Sequence, residues 1–173
     1  KTASFEAEHK LPLLNRDNDA HFVSQYDDGS WHFILDALRN GQLGPVARLS
    51  LLHETSLLAR GGKTPTANLL PLLGAYTHED SEPVWNIISM VIGDLKRFVE
   101  EDEASEKLLK ALVVRTASGL YEKLGFDQID GETEQDTKLR ATILGLLSYG
   151  EHQEVIERCL AMFHDRSEEH TSE

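Results

Sequence analysis

The sequence has 173 residues, 40% of them hydrophobic, enough for one compact domain or a domain with an appendage. Lys and Arg number 17 against 30 Asp and Glu, a formal net charge of -13. A field of that sign repels a phosphate backbone and an anionic lipid surface, so neither a nucleic-acid nor a membrane partner is expected.

Residues 1–29 read differently from the rest. Leu11 to Leu14 is a short apolar run, Asn15-Arg16-Asp17-Asn18-Asp19 is rich in turn formers, and Ala20 to Tyr26 alternates around Phe22 and Gln25. That pattern predicts a β-hairpin. A lone hairpin is marginal in water, so residues 1–29 are expected to be a short β segment, the remnant of a preceding sheet domain or a hairpin against the helices.

From Ser30 the apolar period lengthens to three and four residues. Trp31, Ile34, Leu35 and Leu38 predict a first helix ending near Gly41. Pro45 is suited to open a second, with Leu49, Leu52, Leu57 and Leu58 inward and Gly61-Gly62 as its stop. Thr64-Pro65 predicts a third start, with Leu69, Leu70, Leu72 and Leu73 buried and Pro71 kinking or ending the helix. Ser81 is expected to cap a fourth, whose stripe runs through Val84, Ile87, Ile88, Val91, Ile92, Leu95 and Phe98.

Glu100-Glu101-Asp102-Glu103 lacks the spacing and glycine of a calcium loop and reads as a solvated junction. Leu108, Leu109, Leu112, Val113 and Leu120 mark a fifth helix that stops near Gly125. Thr133 begins a sixth, with Leu139, Ile143, Leu146 and Leu147 inward, and His152 to Phe163 forms the last. The fold class is therefore mainly α: about seven helices over residues 30–165, packed as an antiparallel, HEAT/armadillo-like or superhelical stack, with residues 166–173 a frayed tail. The sequence opens on Lys1, from which removal of a preceding portion is expected. It contains no signal peptide and no apolar run near the ~20 residues that span a bilayer, so a cytoplasmic location is expected.

No complete catalytic constellation is present. A zinc-protease helix needs two histidines four residues apart with a glutamate between them. In His53-Glu54-Thr55-Ser56-Leu57 the second ligand position is Leu57, which cannot coordinate metal. His9, His21, His32, His78, His152, His164 and His170 are scattered. Cys159, the single cysteine, excludes an internal disulfide and reads as a buried small hydrophobe. There is no phosphate loop and no nucleophile elbow, and Ser118 lies in a helical pattern without a base. No catalytic, cofactor-binding or metal residue is assigned. Tyr26, Trp31 and Trp85 are candidate anchors, with core packing the stronger expectation, and Arg48, Arg60, Arg97, Arg115 and Arg140 are candidates for ion pairs.

Several words in order resemble the C-terminal region of the M1 family of zinc aminopeptidases, aminopeptidase N type. Leu13-Leu14-Asn15-Arg16-Asp17-Asn18-Asp19-Ala20-His21-Phe22-Val23-Ser24-Gln25-Tyr26-Asp27 is similar to the passage where a small β domain leads through a Tyr-Asp pair into the helical domain. Ala47 to Gly62 resembles a family helix with a glycine stop, and Glu79 to Trp85 an acidic, proline and tryptophan lead-in. Leu120-Tyr121-Glu122-Lys123-Leu124-Gly125-Phe126 is similar to a recurrent helix end, and Leu139-Arg140 to a later helix start. Ser24 stands where many members have arginine, and Glu54 where aspartate is common.

The resemblance implies a non-catalytic C-terminal domain that shapes the peptide-access cavity of a zinc aminopeptidase. The implied partners are the catalytic and β domains of the same parent chain, and peptide substrates in the intact enzyme. Zinc would belong to the catalytic domain, and the fragment alone would be inactive. Two other readings stand beside it: an independent helical-repeat interaction module, and a stand-alone hydrolase assembled from dispersed His, Ser and Asp.

Overall fold

A computed structural model describes residues 13–169, with side chains as far as His164. Seven α-helices follow one another: α1 Asp28–Arg39, α2 Pro45–Arg60, α3 Leu69–Leu73, α4 Glu82–Val99, α5 Glu103–Leu124, α6 Glu134–Tyr149 and α7 Gln153–Glu169. A single 3₁₀ turn, Thr66–Asn68, precedes α3. Among the described residues there is no strand. The chain divides into two compact units, residues 1–78 and 79–173.

In the first unit the expected hairpin is replaced by a turn and an extended segment; Leu11 and Pro12 lie outside the described residues. The Asn15 side chain takes the place of a ladder: its amide donates to the Ala20 carbonyl at 2.7 Å, and its oxygen accepts the Ala20 N–H at 3.0 Å. Further on, the Ser24 N–H donates to a helix carboxylate and not to a strand. With local side chains satisfying these backbone groups, nothing drives a two-stranded ladder that is marginal on its own.

Asp27 caps α1 by accepting the Ser30 N–H at 2.7 Å, and that bond holds its carboxyl below the usual range. Pro45 occupies the first turn of α2, where its missing donor costs nothing, and Gly62, at φ 65°, follows the stop. The buried face of α2 is Ala47, Leu51, Leu52, Thr55 and Ser56. It is rotated from the leucine-only stripe, leaving Leu57 partly exposed. The rotation is possible because Thr55 and Ser56 donate to their own helix, at the carbonyls of Leu51 and His53, both at 2.7 Å.

Pro71 neither kinks nor breaks α3. The helix is only Leu69–Leu73, so Pro71 sits in the first turn, where no intrahelical donor is required. Leu69, Leu72 and Leu73 are buried, but Leu70 is exposed. The Tyr76 hydroxyl then donates to the Arg48 carbonyl at 2.6 Å, tying the chain after α3 to α2.

The second unit opens with Glu79, buried, whose carboxylate accepts the N–H groups of Asp80 and Ser81 at 3.1 and 2.8 Å. Ser81 is the cap position of α4 but makes no side-chain cap bond; Glu79 supplies the acceptor beside it. Val84, Trp85, Ile88, Val91, Ile92 and Leu95 are buried, whereas Phe98 is exposed at the end of the stripe. α4 packs against α5 and α6, α5 against α6, and α6 against α7. The short links Glu100–Asp102 and Gly150–His152 oblige helices so joined to reverse direction, the arrangement of a helical stack.

Glu100 to Glu103 is exposed, and Asp102 accepts the Ala104 N–H at 3.2 Å to cap α5. Leu108 on α5 is exposed. Gly125 closes α5 at φ 67°, ψ -177°, a conformation that only glycine adopts without strain. Thr133 and Asp136 form a reciprocal capping box at the start of α6. Gly150 follows α6 where helices approach closely: a Cβ there would lie 2.6 Å from Val114 Cγ2 and 3.3 Å from the Lys110 carbonyl oxygen.

Cys159 is exposed, contrary to the expectation of a buried hydrophobe. Only one side of α7 is covered: Val155 is fully buried, while Leu160 and Phe163 stand open alongside Cys159. The helical backbone continues to Glu169, and residues 170–173 lie outside the described residues.

Candidate functional site

An open groove of about 490 Å³ lies in the first unit between the extended N-terminal segment and α2. Asp19, His21, Phe22 and Val23 line one side; His53, Glu54 and Leu57 line the other. The near-miss to a zinc-protease word thus falls in a real groove, and the structure shows what its residues do. Glu54 accepts the Ser24 N–H through Oε2 at 2.8 Å, so this carboxylate oxygen fixes backbone. Leu57 presents a half-exposed aliphatic surface at the position where a second imidazole would be needed.

His21 and His53 both line this groove. Among the described residues, however, no three or more His, Cys, Asp or Glu side chains are grouped as a metal site requires. Elsewhere His32 lies 3.4 Å from Asp36 on the exposed face of α1, and His152 packs its ring against Tyr121. His9 and His170 lie outside the described residues. What the groove offers is apolar surface, with Phe22 at 49%, Val23 at 47% and Leu57 at 39% exposure, beside two carboxylates and two imidazoles. Half-exposed apolar surface of that kind is the chemistry of contact.

Tyr26 and Trp31 stack on each other with ring centres 6.5 Å apart, and the Tyr26 hydroxyl accepts the Leu14 N–H at 3.1 Å. They are therefore committed to holding the extended segment onto α1. Trp85 is buried and donates from Nε1 to the Glu79 carbonyl at 3.1 Å, as core packing requires. Ser118 donates back to the Val114 carbonyl within α5.

The arginines separate cleanly. Arg97 and Arg115 are exposed, and Arg48 donates to the Leu43 carbonyl at 2.9 Å. Arg140 is the structural one. It is buried, its Nη1 lies 2.6 Å from Glu132, and its Nε and Nη2 donate to the Leu124 carbonyl at the end of α5. The guanidinium beside Glu132 holds that carboxyl down to about 2. A neighbouring cluster, Tyr121 to Glu154 at 3.0 Å and Arg158 to Asp127 at 2.6 Å with Arg158 over the Phe126 ring, fastens α7. Burial, followed by Glu154, raises the Tyr121 phenol, so this hydroxyl stays protonated and donates. Sequence reasoning does not find Glu132, and it names Ser24 and Glu79 without their partners, which only the fold brings together.

Seven helices in succession, with an open groove beside α2 and no strand among the described residues, define a helical domain. Residues 11–173 match the family described as the ERAP1-like C-terminal domain, and the chain belongs to that family, a helical C-terminal domain related to the M1 aminopeptidases. It is 33% identical over 156 residues to aminopeptidase N of Lactococcus lactis subsp. lactis, covering 90% of this chain and 18% of that protein. It is 31% identical over 158 residues to aminopeptidase N of Lactobacillus helveticus, covering 91% of this chain and 18% of the relative. With the puromycin-sensitive aminopeptidase of Caenorhabditis elegans it shares 26% identity over 159 residues, 91% of this chain and 17% of the relative. The chain spans less than one fifth of the length of these relatives.

Proposed function

We propose that this chain serves as a non-catalytic wall of a larger aminopeptidase, shaping the cavity through which peptides reach a zinc centre carried elsewhere in the polypeptide. The observation that carries the reading is the family match over residues 11–173, set against relatives named aminopeptidase that are more than five times as long as the matched segment. The first-unit groove supports it. Phe22, Val23 and Leu57 offer half-exposed apolar surface where contact with another part of a polypeptide would bury them.

Residues 1–29 act in this reading as the exit from a preceding sheet domain, with the Tyr26–Trp31 stack anchoring the crossing into α1. The zinc, the water it activates and the group that holds the peptide amino terminus belong to a catalytic portion outside this chain. The helices restrict which peptides arrive, in an enzyme of the cytoplasm. Among the described residues no helix is long and apolar enough to cross a membrane.

A chimera tests the proposal. This chain replaces the matched segment of Lactococcus lactis aminopeptidase N, and hydrolysis is measured for an aminoacyl amide and for peptides of increasing length. The expected chimera keeps its zinc and its turnover of the small amide but shows a changed dependence of kcat/KM on peptide length. An unchanged length profile in a folded, active chimera contradicts the wall role.

A further inference from the structure

Ser24 presents a problem that the groove does not solve. Its residue is only 5% exposed, and its Oγ is buried without a hydrogen-bond partner among the described residues. A buried hydroxyl left in that state loses its solvation for nothing, and such groups in native proteins are nearly always satisfied by protein or by ordered water. The backbone of the same residue is well held, its N–H donating to Glu54 at 2.8 Å. That bond fixes where the backbone of residue 24 sits against α2.

Ser24 lines a small cavity of about 40 Å³, distinct from the groove and shared with Gln25, Thr55, Thr64 and Asn68. Its lining is polar, and its members retain bonding capacity. Thr55 has used its hydroxyl proton on the Leu51 carbonyl and keeps its acceptor lone pairs. Asn68 donates its amide to Thr64 Oγ1 at 3.0 Å and keeps its carbonyl oxygen. The space exceeds the roughly 10–15 Å³ that one water requires and is far below what an organic ligand fills. Asp28 in the lining disfavours an anion.

We infer that this cavity is a binding site for an ordered water molecule, held on Ser24 Oγ and shared with the polar side chains of α2 and of the Thr64–Asn68 turn. The water completes a clamp. Glu54 holds the extended segment through its backbone and the water holds it through its side chain, so residue 24 is fixed to α2 from two directions. Serine at this position supplies the donor and acceptor without filling the space.

The test is a high-resolution crystal structure of the chain together with water-to-amide magnetisation transfer in solution, repeated on Ser24→Ala. The expected native result is a full-occupancy solvent peak within about 2.6–3.2 Å of Ser24 Oγ and of a second polar atom of Thr55, Thr64 or Asn68, with a transfer signal at the Ser24 amide. Ser24→Ala should lose the peak or reduce its occupancy and lose the transfer signal, while the backbone N–H at that position keeps its bond to Glu54. A native structure in which the cavity is dry, or in which Ser24 Oγ bonds a protein group, overturns the inference. So does an unchanged peak and signal in the alanine variant.

Discussion

Helices α4 and α7 carry nearly the same apolar lettering and meet different fates. In α4 the stripe Val84, Ile88, Val91, Ile92 and Leu95 is buried from end to end. In α7 Ile156, Cys159, Leu160 and Phe163 repeat at the same spacing, yet Leu160 is 54% and Phe163 71% exposed. α4 is flanked by α5 and α6, whereas α7 packs mainly on α6 and is tied to the end of α5 through Tyr121. An amphipathic period states that a helix has a face to bury and is silent about what buries it. In a domain that spans under one fifth of its relatives, an open stripe of this kind is the ordinary appearance of a helix at the side of a stack.

The contrast can be broken by mutation. Ile88→Ala removes a fully buried side chain and should cost about 2–5 kcal/mol in urea unfolding. Glu132→Gln follows, since it uncouples the buried Arg140 that ties the α5 end to α6. The Glu132 carboxyl is depressed to about 2 from an ordinary 4.5, so its contribution is complete above pH 4.5 and is lost as pH falls through about 2. The stability difference between native and Glu132→Gln protein should therefore shrink across that window, measured by denaturation at a series of pH values. A difference independent of pH contradicts the ion-pair account.

Gly150→Ala should destabilise by about 1–3 kcal/mol, because Val114 is stiff and the Lys110 backbone stands behind it. The smallest effect is expected on α7, where Leu160→Ser should change stability by less than about 0.5 kcal/mol, as at other exposed sites. A loss there as large as that of Ile88→Ala would mean that the α7 stripe is buried in solution.

Most of the helical frame is legible because its punctuation is chemical. Pro45, Gly61-Gly62, Thr133 and Gly125 mark boundaries through a missing donor, a left-handed turn, a capping hydroxyl and a conformation reserved for glycine. The segment before α1 reads wrongly as a hairpin, because alternation reports extended backbone and cannot report whether Asn15 or Glu54 will take the hydrogen bonds. The α2 face is misleading for a related reason: Thr55 and Ser56 look polar in sequence and become buriable only once their hydroxyls bond to their own helix. The groove is half legible. The broken His53–Leu57 word and the turn formers of Asn15 to Asp19 are plain, but that the turn sets Asp19, His21, Phe22 and Val23 across from that word is decided only by the fold.

The central claim is that these helices shape access and do not perform hydrolysis. The most direct measurement is the rate of aminoacyl-amide cleavage by the purified chain with stoichiometric zinc supplied, alongside zinc retained after dialysis. The account predicts no retained zinc and a rate equal to the buffer blank, since Leu57 cannot complete a ligand pair with His53 and Glu54 is engaged by Ser24. Turnover proportional to chain concentration, abolished by a chelator and restored by one equivalent of zinc, would contradict it.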